Sequence, residues 1–139
     1  MSTHSSRHLI AYRIFHVLAV LAVFICAGYL TAFKGWALFY AGPLLLVAFF
    51  IVLYQHMRLQ IQFGQGAASS RAMIWAAVQL LSLLIAYIFL PGMSDTDTVL
   101  MFASVEVNRT DTLVTISNYL SFTGSIVFFV ATVLLGRTL

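Results

Sequence analysis

Residues 9–33 read LIAYRIFHVLAVLAVFICAGYLTAF, and this stretch decides the fold, because Arg13 is its one charged residue. An α-helix rises 1.5 Å per residue, so about 20 apolar residues cross the roughly 30 Å of hydrocarbon in a bilayer. Lipid offers no partners for backbone N–H and C=O groups, which a helix satisfies internally. The stretch therefore predicts a membrane-spanning helix.

Three further apolar runs follow the first, at residues 36–55, 72–90 and 113–135. Each is close to the length that a membrane-spanning helix needs. The sequence predicts an all-α integral membrane protein. Its fold would be a four-helix bundle that forms one membrane domain over residues 1–139.

The overall composition agrees with a lipid environment. Hydrophobic residues make up 62% of the chain and charged residues 8%, with a mean hydropathy of +1.01. A soluble domain carries roughly 25% charged residues. The net charge of +3 comes from scattered basic residues, without a basic cluster, so no nucleic-acid partner is expected. The lipid bilayer is the first partner that the sequence predicts.

The basic residues also predict an orientation. With the N-terminus inside, five basic residues fall on the inner side and two on the outer side. The inner residues are Arg7, Arg13, Arg58, Arg71 and Arg137, and the outer ones are Lys34 and Arg109. Both termini are therefore expected in the cytoplasm. The small size and sparse loops favour a bacterial inner membrane.

Two connecting segments differ in character. Residues 58–71 are polar and are predicted to join the second and third helices outside the membrane. Between the third and fourth helices, residues 98–107 are almost continuously apolar, 108–111 form a polar turn, and 112–116 are rich in β-branched residues. This pattern predicts either a short extracytoplasmic hairpin or an amphipathic segment lying on the membrane surface.

Small and polar residues recur along one face of the third and fourth helices. Such residues let membrane helices approach closely or bond across an interface. The sequence therefore predicts a helix-packing or partner interface with these members: Gln79, Ser82, Ser117, Ser121, Gly124 and Ser125.

His16 and His56 are the candidates for cofactor binding. Antiparallel helices would bring them to a similar depth, where two imidazoles can ligate a haem. Residues 13–19, RIFHVLA, resemble the start of the first helix in membrane cytochromes b, where Arg-x-x-His often precedes an apolar run. That resemblance implies haem b. The chain departs from it at Val17, where a tryptophan is frequent, and lacks the four helix-borne ligands of a two-haem cytochrome b561.

The remaining chemistry is sparse. The sequence shows no nucleophile–base pair, phosphate-binding loop or zinc motif, so neither catalytic residues nor a metal site are predicted. We expect a non-enzymatic protein that acts by protein–protein contact, as an accessory subunit of a membrane complex or as an immunity or inhibitor protein. Its partner would be another membrane protein or a second copy. The alternatives are a haem-binding redox subunit and an oligomeric pore or carrier.

Overall fold

The structure is a computed structural model. It describes residues 3–31, 37–93, 98–100, 105–107 and 112–139.

The described residues contain four long helices. They are α1 (Thr3–Thr31), α2 (Ala37–Gln65), α3 (Ser70–Ile88) and α4 (Thr112–Thr138). Each includes a stretch long and apolar enough to cross a membrane: Leu9–Tyr29, Ala41–Gln65, Ser70–Ile88 and Thr112–Thr138. The prediction of four membrane-spanning helices is confirmed at this level.

Helix α2 continues ten residues beyond the predicted end at residue 55. Residues 58–65 therefore belong to the helix, although they were expected in a polar connection. The reason is a buried face that includes Val52, Leu59 and Phe63. Their spacing follows the 3.6-residue period of a helix. Arg58 and the glutamines around it lie on the other faces, so they did not end the helix.

A four-residue turn joins α2 to α3. Gly66 has φ 68°, the left-handed conformation that commonly ends a helix, and Ala67 donates to the Gln62 carbonyl oxygen at 2.9 Å. Ser69 then caps α3, because its hydroxyl accepts from the backbone N–H of Ala72 at 3.1 Å. A turn this short makes α2 and α3 antiparallel neighbours.

Three short strands lie between α3 and α4. They are β1 (Gly92–Met93), β2 (Thr98–Leu100) and β3 (Val105–Val107), paired antiparallel in the order β1-β2-β3. Residues 112–116 were predicted as the second arm of the hairpin. They are instead the first residues of α4 and form no strand. The predicted polar turn at 108–111 lies outside the described residues.

Two apolar clusters are found among the residues that the structure describes. One cluster lies toward the end of the bundle where α2 ends and contains Leu59, Phe63, Ala72, Ala76 and Leu135. The other lies further from that end and contains Val23, Val52, Leu80 and Leu83. Helix α3 is the most enclosed helix, while α1 has few buried residues and lies at the outside of the bundle.

Candidate functional site

A layer of polar side chains lies between the two apolar clusters. We call it the polar layer, and each of the four described helices contributes to it. Its members are His16 from α1, Gln55 and His56 from α2, Gln79 from α3, and Thr132 from α4. Gln55, His56 and Gln79 are buried.

The polar layer lies inside the membrane-spanning region. Gln79 is the middle residue of the Ser70–Ile88 span, and His56 lies nine residues before the end of α2 at Gln65. Nine residues correspond to about 14 Å along a helix. His56 was expected at the end of the second helix, and it lies inside α2 because that helix is longer than predicted. Polar groups at this depth gain strongly from having partners.

The backbone of α4 fixes the direction of the hydrogen bonds. The carbonyl oxygen of Thr132 can only accept, so Gln55 donates to it through Nε2, at 2.9 Å. The Oε1 of Gln55 then accepts from the Nε2 of Gln79 at 2.6 Å. The same Gln79 nitrogen donates to the Thr132 hydroxyl at 2.9 Å. Both amide groups therefore have one defined orientation.

The same order of donors and acceptors extends from Gln79 to the two histidines. The Oε1 of Gln79 accepts from the Nε2 of His56 at 3.0 Å, so that nitrogen carries the proton. In neutral His56, Nδ1 is then an acceptor. It lies 2.7 Å from the Nε2 of His16, which must be the donor. The polar layer thus assigns a tautomer to each histidine.

The same geometry bears on whether His16 and His56 can both ligate a haem iron. The facing nitrogens of His16 and His56 are 2.7 Å apart and share one hydrogen. An imidazole nitrogen lies about 2.0 Å from a bound metal, so two ligands on opposite sides of an iron need about 4 Å between them. A haem would require the two rings to separate and His56 to turn away from Gln79. The observed arrangement does not favour that.

The predicted small-residue interface lies mainly at the contact of α3 and α4, the most extensive helix pair in the described bundle. A Cβ placed on Gly124 would lie 2.8 Å from the backbone nitrogen of Ala86 and 3.1 Å from the Ser82 carbonyl oxygen. Ser121 donates to the Ala86 carbonyl oxygen at 2.8 Å. The two helix backbones approach closely here because position 124 has no side chain.

The other predicted interface residues are placed nearby. Ser117 is buried, and Ser82 donates to the Gln79 carbonyl oxygen of its own helix at 3.0 Å. Ser125 is exposed and donates to the Ser121 carbonyl oxygen at 2.9 Å. Ser117 and Ser121 are therefore enclosed in the bundle, whereas Ser125, four residues further along α4, is not.

Polar contacts also join the helices at the end where α1 begins. Arg13 donates through Nε to the Gln60 Oε1 at 3.1 Å, which ties α1 to α2. Arg58 and Gln62 donate to the Leu139 oxygen at 3.0 and 3.1 Å, which ties α2 to the end of α4. The exposed arginines 58, 71 and 137 therefore share one end of the bundle with Arg13.

Sequence reasoning missed Gln55 and Thr132 as members of the polar layer. Gln55 was placed at the end of the second helix, where an amide needs no partner. The apolar periodicity that runs from Val52 to Phe63 could have shown that the helix continues and that Gln55 is buried. A single threonine such as Thr132, in an apolar helix, gives no comparable signal.

Within the described ranges, no group of three or more His, Cys, Asp or Glu side chains is placed to hold a metal ion. The chemistry of the site therefore rests on the imidazoles, amides and hydroxyl of the polar layer. Comparisons with protein-family models, curated proteins and solved structures find no match to this chain.

Proposed function

We propose that this chain is a small non-enzymatic membrane protein that acts by protein–protein contact. It would serve as an accessory subunit of a membrane complex or as an immunity or inhibitor protein. The observation that carries this proposal is the polar layer, whose amides, hydroxyl and His56 bond to one another. Groups that bond in this way hold four helices in one arrangement and present a fixed outer surface.

The chain of hydrogen bonds is poorly suited to proton transport. A proton that reached His56 could leave through Nε2 only to the amide oxygen of Gln79. An amide is a very weak base, so transfer would stop there. The polar layer is better explained as a set of hydrogen bonds that holds the helices together than as a path for ions.

The outer face of α1 is the surface that we assign to the partner. Phe15, Leu18 and Ile25 are exposed along it. Ala22 and Cys26 are also exposed and are four residues apart, so they lie one above the other on the helix. Small residues at this spacing let a second membrane helix approach closely. The partner that fits is a transmembrane helix of another protein.

The arrangement of basic residues supports an inner-membrane location with both termini in the cytoplasm. Arg13, Arg58, Arg71 and Arg137 lie at one end of the bundle. Basic residues are concentrated on the cytoplasmic side of membrane proteins.

Photo-crosslinking through the single cysteine tests the contact. Cys26 would be labelled with maleimide-benzophenone in native membranes, beside a Cys26→Ser, Phe129→Cys variant that places the probe on an exposed position of α4. We expect one discrete adduct from Cys26, little from position 129, and loss of the adduct when Ala22→Trp is added.

The adduct mass distinguishes the partners. A mass twice that of the 15.4 kDa chain would make the partner a second copy, and another mass would point to a different protein. Equal labelling from both positions, or an adduct that survives Ala22→Trp, would contradict a specific contact through α1.

A further inference from the structure

A groove between α1 and α2 runs along the outside of the bundle. Its volume is about 160 Å³, and the surface that lines it is almost entirely apolar. On α2 the lining extends from Leu53 to Gln60, which is about 10 Å along the helix. Leu21, Leu53 and Met57 line the groove and are exposed within the membrane-spanning stretches, so the groove opens toward lipid.

The size and the surface of the groove suit part of a lipid acyl chain. An apolar protein cavity of about 150 Å³ holds one benzene molecule, so the groove accommodates about six carbon atoms. An acyl chain lies along the helices, as the groove does. Its remaining carbons would extend from the open side into the bilayer.

Arg13 lies at the end of the groove that is nearer the membrane surface. It is close to the start of the Leu9–Tyr29 span, and it donates through Nε to the Oε1 of Gln60 at 3.1 Å. The Nε2 of Gln60 donates to the Arg13 carbonyl oxygen at 3.5 Å. Both polar atoms of the Gln60 amide therefore contact Arg13, which orients the guanidinium and leaves the groove itself apolar.

The rest of the Arg13 guanidinium is available to an anion. Arg13 is exposed, and no described residue accepts a hydrogen bond from its Nη1 or Nη2. A guanidinium is planar and can bind a phosphate through two parallel N–H groups. The neighbouring groove would then receive the apolar chain that is attached to that phosphate.

The charge at this end of the bundle favours a ligand with net negative charge. Arg58, Arg71 and Arg137 are exposed at the same end. All four acidic residues of the sequence fall between positions 95 and 111, in the connection between α3 and α4. That connection joins the other ends of these two helices. A phospholipid with net negative charge therefore fits better than one whose headgroup amine balances its phosphate.

We propose that the groove between α1 and α2 binds one anionic phospholipid, with its phosphate on the guanidinium of Arg13 and part of an acyl chain along the apolar lining. The bound lipid would join α1, which has few buried residues, to α2. The contact that we assign to a partner protein uses other residues of α1, including Phe15, Leu18 and Ala22, so the lipid site does not depend on it.

Native mass spectrometry of the full chain, released from a non-ionic detergent, tests the proposal. The probes are phosphatidylglycerol and phosphatidylcholine with identical acyl chains, and glycerol 3-phosphate is the soluble competitor. We expect one phosphatidylglycerol molecule to bind about ten-fold more tightly than phosphatidylcholine, because several arginines attract its net charge. Millimolar glycerol 3-phosphate should not displace it, because a soluble phosphate lacks the acyl chain.

Two pairs of variants locate the site. Arg13→Gln should lower the affinity for phosphatidylglycerol about five-fold or more, whereas Arg137→Gln, which removes the same charge at the end of α4, should lower it less than about two-fold. Leu53→Trp fills the groove and should cause a loss similar to that of Arg13→Gln. Leu81→Trp adds the same bulk at an exposed position of α3 and should leave the affinity unchanged.

Retention of the helical circular dichroism and of the elution volume would show that each variant is folded. If either Arg13→Gln or Leu53→Trp does not fold, the other variant and its control still decide the result. Equal binding of the two lipids, displacement by glycerol 3-phosphate, or equal losses in Arg13→Gln and Arg137→Gln would overturn the proposal. An unchanged affinity in Leu53→Trp would overturn it as well.

Discussion

The Nε2 atom of His16 lies 2.7 Å from the Nδ1 atom of His56 and joins the least enclosed helix to the centre of the bundle. The ring centroids are 4.7 Å apart and the ring planes meet at 30°. Because His56 also donates to Gln79, this one pair connects α1 to the α3 helix that the other helices surround. The energy of the hydrogen bond between His16 and His56 can be measured.

A double-mutant cycle measures the energy of the histidine pair. His16→Leu and His56→Leu, alone and together, should show a coupling of about 0.5–2 kcal/mol in the free energy of unfolding, because the two side chains are in direct contact. The measurement is SDS titration in bicelles. A control cycle of His16→Leu with Ser125→Ala, which is exposed on α4, should be additive. Additivity in both cycles would argue against the bond.

Gln79→Leu should destabilise the bundle. It removes three hydrogen bonds, to His56, Gln55 and Thr132. At roughly 0.6 kcal/mol each for side-chain bonds between membrane helices, the loss is about 2 kcal/mol. Leu81→Ala, at an exposed position of α3, is the control and should change the free energy of unfolding much less. An equal loss in both variants would mean that the polar layer contributes little.

Gly124→Ala should destabilise the contact of α3 and α4 by about 1–3 kcal/mol, as overpacking does. The added Cβ would meet backbone atoms of Ala86 and Ser82, which cannot rotate away. Gly28→Ala is the matched control, because a Cβ there has no described atom within 4 Å. We expect it to be neutral or slightly stabilising, since alanine favours helix more than glycine does. Equal effects of the two substitutions would contradict the close approach.

An absorbance spectrum tests the haem alternative. We expect no Soret band from protein expressed with ample haem and purified in detergent, oxidised or reduced with dithionite, because the histidine nitrogens bond to each other. A Soret band with reduced α and β bands, lost in His56→Leu, would contradict this expectation. It would also show that the two rings separate to hold a haem.

Labelling of single cysteines tests the orientation. In a Cys26→Ser background, Ser70→Cys marks the start of α3 and Thr112→Cys the start of α4, which lie at opposite ends of the bundle. A membrane-impermeant maleimide added to intact cells should label position 112 and spare position 70. Inside-out vesicles should give the reverse. The opposite pattern in both preparations would place the termini outside.

Part of the fold was predictable from composition and length alone. Apolar runs as long as residues 9–33 are well solvated only in lipid. In lipid, a single segment can satisfy its backbone N–H and C=O groups internally only as a helix. Four such runs predict four spanning helices, and four are found in the described chain. The end of α2 was placed too early because Arg58 and nearby glutamines were counted, while the buried period through Leu59 and Phe63 was not.

The sequence by itself determined that this chain has four segments long and apolar enough to span a membrane as helices, because hydropathy and span length are local properties of the chain. It also singled out His16, His56 and Gln79 as unusual polar residues in apolar helices. Only the tertiary structure decided that His56 bonds to both His16 and Gln79, since that depends on how four helices rotate and cross. The bonds from Gln79 to Gln55 and Thr132 were decided in the same way. Contacts between residues 23 to 77 positions apart are set by packing, and no local pattern encodes them.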